Sequence, residues 1–285
     1  MSLPRVQWDG HSHTEYCGHG SGEPTEAMVE RAIDQGFTTY SITEHAPLPP
    51  DFVAELPYPR AVSNRLELDP RRVNEYLAHM ARIRTRYRRH IDVKIGFELD
   101  YLPQHVAWTR SFLDRVARHI DDLVLSVHFV PTADGMRGID LDGQELKDRI
   151  LPHYGSFAAF QIHYLDTVQA AVRTDFGTVK PQRLAHLTRC RMFQRLLPDL
   201  SPLETAGVEA RIANVLHAMR AAGFALEFNV SGLDHADCAD TYPPRDVALR
   251  ARALGLRLVY GSDAHRTREV GRHYHTAAAS VVENG

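Results

Sequence analysis

Seven short apolar segments, each closing on polar residues and each followed by a helical pattern, constrain this chain more than any other feature. They cover residues 5–9, 37–43, 92–99, 122–127, 183–187, 224–229 and 256–261. Apolar runs of about 4–8 residues bounded by polar or turn residues signal strands buried on both faces. Helical patterns lie between them at 24–35, 70–90, 104–118, 157–173, 204–222 and 244–254. Within 70–90, Val73, Leu77, Met80 and Ile83 fall along one stripe, and Gly36, Gly223 and Gly255 each follow a helical run. Glycine is the residue best suited to end a helix.

Strand followed by helix, repeated, predicts parallel strands joined by crossover helices. Seven such units fit an α/β chain folded as a distorted (β/α)7 relative of the TIM barrel, with its active site at the C-terminal ends of the strands. An open doubly wound sheet is the alternative, but no G-x-G-x-x-G supports a nucleotide crevice. The chain has 285 residues, enough for one such domain spanning 1–285. Two insertions interrupt the pattern, at 47–69 and 131–156, and both fall where loops would cover the predicted site.

Composition excludes several function classes. The formal net charge of −3 offers no basic field for nucleic acid or an anionic membrane. Cys17, Cys190 and Cys238 are scattered without a C-x-x-C, which argues against a disulfide framework and a thiolate zinc site. The first residues lack the pattern of a secretory signal, and no apolar run approaches membrane-spanning length. The expectation is a cytoplasmic enzyme.

The polar residues that close the strand-like segments are unusually consistent. His11-Ser12-His13 is an H-x-H pair at a strand end, where residues i and i+2 share a side. His19, His45, Glu98, His128, His186, Asp263 and His265 follow, most of them directly after an apolar run. Singly, a buried histidine is often a satisfied polar group, Glu98 could pair with a basic residue, and Asp263 could cap a helix and orient His265. Together they exceed the three protein ligands that a catalytic zinc ordinarily takes. The expectation is two to three divalent ions, and the absence of thiolates favours Zn, Mn or Fe. A second H-x-H, His273-Tyr274-His275, follows no apolar run and is assigned to the surface.

The successive motifs Asp9-Gly10-His11-Ser12-His13-Thr14, Cys17-Gly18-His19, Thr43-Glu44-His45, Gly96-Phe97-Glu98-Leu99-Asp100-Tyr101, Ser126-Val127-His128-Phe129 and Gly261-Ser262-Asp263-Ala264-His265 resemble those of the PHP (polymerase and histidinol phosphatase) superfamily. Its histidinol-phosphatase branch is the most similar, and the resemblance runs from about His11 to about His265. It implies a (β/α)7 barrel, a trinuclear metal centre held by the nine residues named above, and hydrolysis of L-histidinol phosphate, a small-molecule phosphate ester. At His186 the local sequence Ala185-His186-Leu187-Thr188 departs from the family's usual Gly-His-x-Asp.

A phosphate monoester would then be attacked directly by a metal-bridging hydroxide. Neither a DxDx[TV] nor a C-x5-R phosphatase motif is present. Protonation of the leaving oxygen falls to Asp263 or to a neighbouring histidine such as His265. Arg191 and Arg189 are the first candidates to bind phosphate, because guanidinium matches it bidentately; Arg266 and Arg137 come next. Glu15, Asn229 and Asp100 lie beside motif positions and are candidates for the substrate amine and imidazole. Competing readings are a family phosphoesterase acting on another small ester or nucleotide, a non-catalytic metal-binding barrel, and an amidohydrolase-type deaminase.

Overall fold

The computed structural model describes residues 7–282. Its strands are β1 (Trp8–Asp9), β2 (Thr39–His45), β3 (Asp92–Asp100), β4 (Asp122–Ser126), β5 (Phe129–Thr132), β6 (Gly135–Gly138), β7 (Arg183–Leu184), β8 (Ala225–Asn229) and β9 (Leu258–Gly261). Seven of them close a barrel in the order β1-β2-β3-β4-β7-β8-β9. Every pairing in it is parallel, and Asp9 opposite Tyr260 makes the closure. The remaining two strands, β5 and β6, form a separate antiparallel hairpin. The expected architecture is therefore the observed one.

Helices cover the barrel as the sequence pattern requires. Val73, Leu77, Met80 and Ile83 of the helix Val73–Tyr87 are all buried, joined by Tyr76 and Tyr87. The helix Pro202–Ala222 starts with a full capping box between Ser201 and Glu204 and ends at Gly223 in the left-handed region. Among the described residues, no helix is long and apolar enough to cross a membrane.

Strand bounds move where side chains compete for the backbone. The segment expected at 183–187 is a strand only at Arg183–Leu184. Ala185 N still bonds Leu125 O at 2.9 Å, but His186 N donates to the Glu227 carboxylate at 2.7 Å, which takes it out of the ladder. By contrast β2 runs on to His45 and β3 to Asp100. Their register sets His45 opposite Glu98, so two candidate ligands sit side by side at the barrel mouth. Residues 5 and 6 of the first expected strand lie outside the described residues.

Both insertions carry structure of their own. The first holds the short helices Pro50–Glu55 and Arg60–Ser63, and the second holds most of the β5–β6 hairpin. A small apolar cluster of Leu48, Phe52, Val53, Leu56, Leu102 and Phe129 underlies the first, and Met136 of the second packs against it. Tyr58 Oη ties them together, donating to Glu145 at 2.7 Å and accepting from Gly138 N at 2.8 Å.

A buried polar network crosses the barrel interior. From β7, Arg183 donates to Gly10 O at 2.5 Å and to Asp122 at 2.9 Å, with its guanidinium 4.9 Å from the centre of the Trp8 ring. Ser41 of β2 closes the network, accepting from Trp8 Nε1 at 2.8 Å and donating to Asp122 at 2.6 Å.

Candidate metal centre

Local chain geometry brings the nine candidate ligands to one place. After β1 the backbone of His11 and His13 runs alongside 262–265, with Asp263 N bonded to His11 O and His13 N to Ala264 O, both at 2.9 Å. The His11 and His13 rings therefore share a side, 5.2 Å apart. Asp263 sits in the left-handed region at φ 52°, which turns its carboxylate toward the histidines.

Glu98 is the hub. Its Oε2 lies 3.2 Å from His11 Nε2, 3.2 Å from His45 Nδ1 and 3.6 Å from His13 Nε2. Its Oε1 lies 2.7 Å from His186 Nε2 and 3.6 Å from His128 Nε2. Asp263 Oδ1 adds contacts of 3.3 Å to His13 and 3.7 Å to His265. The His19 ring lies 4.9 Å from that of His45 and 5.0 Å from that of His265.

Most of these rings are oriented through the nitrogen that does not face the centre. His11 Nδ1 donates to Glu227 at 2.7 Å, His128 Nδ1 to Asp100 at 3.0 Å, His19 Nδ1 to Arg65 O at 2.8 Å and His265 Nδ1 to Asp263 O at 3.1 Å. Glu44 serves His13 Nδ1 at 3.3 Å and also accepts from the backbone of Thr14 and His45. Outer partners of this kind fix the tautomer that leaves a lone pair free for a metal.

The donor set fits divalent cations. Buried Nε2 atoms of His11, His13, His45 and His265 have no hydrogen-bond partner, which costs free energy unless something else occupies them. Three groups of donor atoms lie within 4.8 Å of one another: His11, His13 and Asp263; Glu98, His128 and His186; and His13, Cys17, His45 and His265. His186 Nδ1 has no partner, and His19 is the one of the nine that belongs to none of these groups.

Charge follows the same layout. Burial opposes protonation of His13, but Asp263 and Glu44 lift it to about 9. Asp100 and Glu98 likewise lift His128 to about 10 against its burial. Against the same burial, the carboxyls of Glu98 and Asp263 are held well below the usual range, chiefly by His11. His45 and His265 are pushed well below the usual imidazole value by burial and by the charge on His13, so both are neutral. Protons on His11, His13 and His128 offset the charges of Glu98, Asp263 and Glu227, and divalent cations would take over that role and displace them.

Seven of the nine, all but His11 and His13, line a cavity of about 380 Å³ at the C-terminal ends of the strands. Arg189 lines it, 2.9 Å from Asp140 and 3.6 Å from Asp263. Asp100, a candidate for the substrate amine or imidazole, lines it too while holding His128 Nδ1 at 3.0 Å. The remaining expected substrate contacts do not line it. Arg191 donates to Gln194, Arg137 is clamped between Asp134 and Glu145, and Arg266 pairs with Glu269. Glu15 points to the start of the helix Thr25–Asp34, where it accepts from Thr25 and faces His79. Asn229 is buried behind Asp263, to which it donates at 3.3 Å. His273 of the rejected second H-x-H pairs with Asp234 away from the cavity.

Sequence reasoning missed Glu44, Glu227, Asp140, Arg65 and Cys17. For Glu227 there was a signal: a lone carboxylate inside the otherwise apolar run 224–228. Gly261 is its counterpart, because a Cβ there would lie 1.9 Å from Glu227 Oε1. Arg65 and Asp140 carry no local signal, since insertions bring them to the cavity.

The sequence profile of the PHP domain matches residues 9–231. This chain belongs to the PHP family. Its PHP relatives include a Bacillus subtilis histidinol-phosphatase, 30% identical over 93% of this chain and 96% of the relative. A Listeria monocytogenes structure, solved as a candidate histidinol phosphatase, superposes with a TM-score of 0.91 at 34% identity, covering 95% of this chain and 99% of that one. The Lactococcus lactis histidinol phosphate phosphatase, solved with zinc, L-histidinol and phosphate, shares the fold with a TM-score of 0.68 at 18% identity, covering 96% of this chain and 93% of that one. As a PHP protein with this donor cluster, the chain is a binder of divalent metals.

Proposed function

We propose that this chain hydrolyses L-histidinol phosphate to L-histidinol and phosphate in the cavity above the ligand cluster. The observation that carries the reading is the convergence of nine candidate ligands, seven of them on one cavity wall and His11 and His13 in contact with Glu98 and Asp263, in a chain related over nearly its whole length to a histidinol-phosphatase. The Lactococcus neighbour, which holds zinc, L-histidinol and phosphate, adds support through the shared fold. A formal charge of −3 and a cavity narrowed by two insertions favour a small substrate over nucleic acid. The barrel and its insertions work as one domain in this reading.

Three donor groups would hold up to three ions, and their nitrogen and oxygen donors, with Cys17 Sγ the one sulfur among them, suit Zn, Mn or Fe. Bound divalent ions supply neutralisation of the phosphate oxygens and a water acidified towards ~7. The residues of the chain do the rest. Arg189, fixed by Asp140, contributes positive charge to the cavity wall. Asp263, kept ionised by His11, His13 and Arg189, is suited to take a proton from the attacking water and return it to the leaving alcohol. His265, on the same wall, is the other group assigned to proton transfer. No serine, threonine or cysteine lines the cavity among the described residues, so no hydroxyl or thiol nucleophile competes with water there.

Phosphate release from L-histidinol phosphate, a nucleoside monophosphate and a short DNA tests the substrate. The metal-loaded chain is expected to turn over the first far faster than the others, and equal or reversed rates overturn the reading. Added alcohols should receive no phosphoryl group. Their phosphorylation would mean a covalent intermediate.

A further inference from the structure

The 47–69 insertion meets the ligand cluster at Arg65, in a contact built from both sides. Arg65 Nε donates to Gly18 O at 2.5 Å, and the Arg65 carbonyl accepts from His19 Nδ1 at 2.8 Å. Gly18 makes this approach possible: a Cβ there would lie 2.7 Å from Arg65 Cα and 2.9 Å from its carbonyl oxygen. No side chain larger than hydrogen fits between the two segments unless one of them moves. With Nδ1 held by Arg65 O, the His19 ring has Nε2 as the nitrogen available to a metal, and the ring lies beside those of His45 and His265.

The Arg65 side chain lines the cavity as well. Two arginines do so, and their situations differ. Arg189 is buried and committed to Asp140 and Asp263. Arg65 is exposed, and among the described residues its terminal nitrogens have no hydrogen-bond or ion-pair partner, while Nε is anchored on Gly18. An oriented guanidinium with two uncommitted N–H groups is the side chain best matched to a phosphate dianion.

We propose that Arg65 is a phosphate-binding residue supplied by the 47–69 insertion, and that its own carbonyl sets the metal-binding tautomer of His19. One residue thereby joins the substrate-covering segment to the metal centre. The proposal rests on the reading of this cavity as a phosphate-ester site, and it makes Arg65 a binding and positioning residue.

Zinc-loaded protein, with inorganic phosphate as the probe, separates the two roles without any turnover. Arg65→Ala is expected to weaken phosphate binding by calorimetry about tenfold or more, as for loss of a charge-assisted hydrogen bond. Its zinc retention during dialysis against a chelator should not change, because the carbonyl remains. Gly18→Ala should shed its weakest ion about tenfold more readily, as His19→Ala does. Ring-nitrogen NMR of wild-type protein should find His19 protonated on Nδ1 and metal-bound through Nε2.

Unchanged phosphate affinity in Arg65→Ala overturns the binding role. Zinc bound through His19 Nδ1, or a folded Gly18→Ala that keeps its ions like wild type, overturns the positioning role. If Gly18→Ala does not fold, the wild-type spectrum decides. A failure to turn over histidinol phosphate would sink the proposed function but leave both of these measurements standing.

Discussion

At the scale of single residues, the centre depends on carboxylates that need not touch an ion themselves. Glu227 has no exposure, yet it holds the His11 ring at 2.7 Å and the His186 backbone at 2.7 Å. Glu227→Gln keeps the volume but removes the charge that fixes His11. Metal affinity should fall about 10- to 100-fold, as for other outer-partner losses, while the fold survives; competition against a chromophoric chelator with circular dichroism reads both. Protonation makes a second prediction. His13, raised to about 9, and His128, raised to about 10, carry protons at neutral pH without ions. Their contribution to the stability of ion-free protein is complete below the ordinary imidazole value near 6.5 and is lost as pH climbs through about 9 to 10. Ion uptake has the opposite sign, because ligation needs the neutral ring. Affinity should therefore rise with pH from 6 to 8 with proton release, detectable by calorimetry in two buffers of different ionisation enthalpy; a flat profile would contradict the charge layout. The candidate ligands were legible in the sequence because most of them follow an apolar run within a recognisable motif. The expected arginines were mostly not, because a guanidinium at the end of a long side chain reaches whichever acceptor the fold brings near.

At the scale of elements, existence and order followed from pattern, while bounds followed from competition for backbone groups. β7 stops at Leu184 because Glu227 captures the His186 N–H, a contact across 41 residues that no local window contains. Register matters as much as extent. A one-residue slip of β2 against β3 would carry His45 to the other face and separate it from Glu98. The Arg183–Asp122 pair shows what barrel closure imposes on its interior. Both groups are largely buried, at 2% and 11% exposure, so neither can turn to water if the other is lost. Asp122→Ala should destabilise the chain by about 3–5 kcal/mol, the range for leaving a buried charge uncompensated. Urea unfolding measures this, and a loss under 1 kcal/mol would mean that Trp8 and the Gly10 carbonyl suffice to hold the guanidinium.

For the molecule as a whole, the metal centre is also a clasp. Its ligands come from the β1 end, β2, β3 and the loops after β4, β7 and β9, so ions held there would bridge segments on all sides of the barrel mouth. Binding only to the folded state stabilises it by about 2.7 kcal/mol per site when free metal is 100 times the dissociation constant. Chelation should lower the melting temperature by several degrees and readdition restore it, by scanning calorimetry; no shift would mean the ions contribute nothing to holding the mouth. Local pattern alone carried the alternation of strands and helices, the seven-fold count, the family motifs and the nine candidate ligands. Those signals are local: an apolar period and a polar residue at its end are written within a few positions. Only the tertiary structure decided which arginines face the cavity, how Glu44 and Glu227 aim the imidazoles, and how the 47–69 insertion seats on Gly18. Each of those depends on where two distant segments come to rest, and packing across the closed barrel sets that distance.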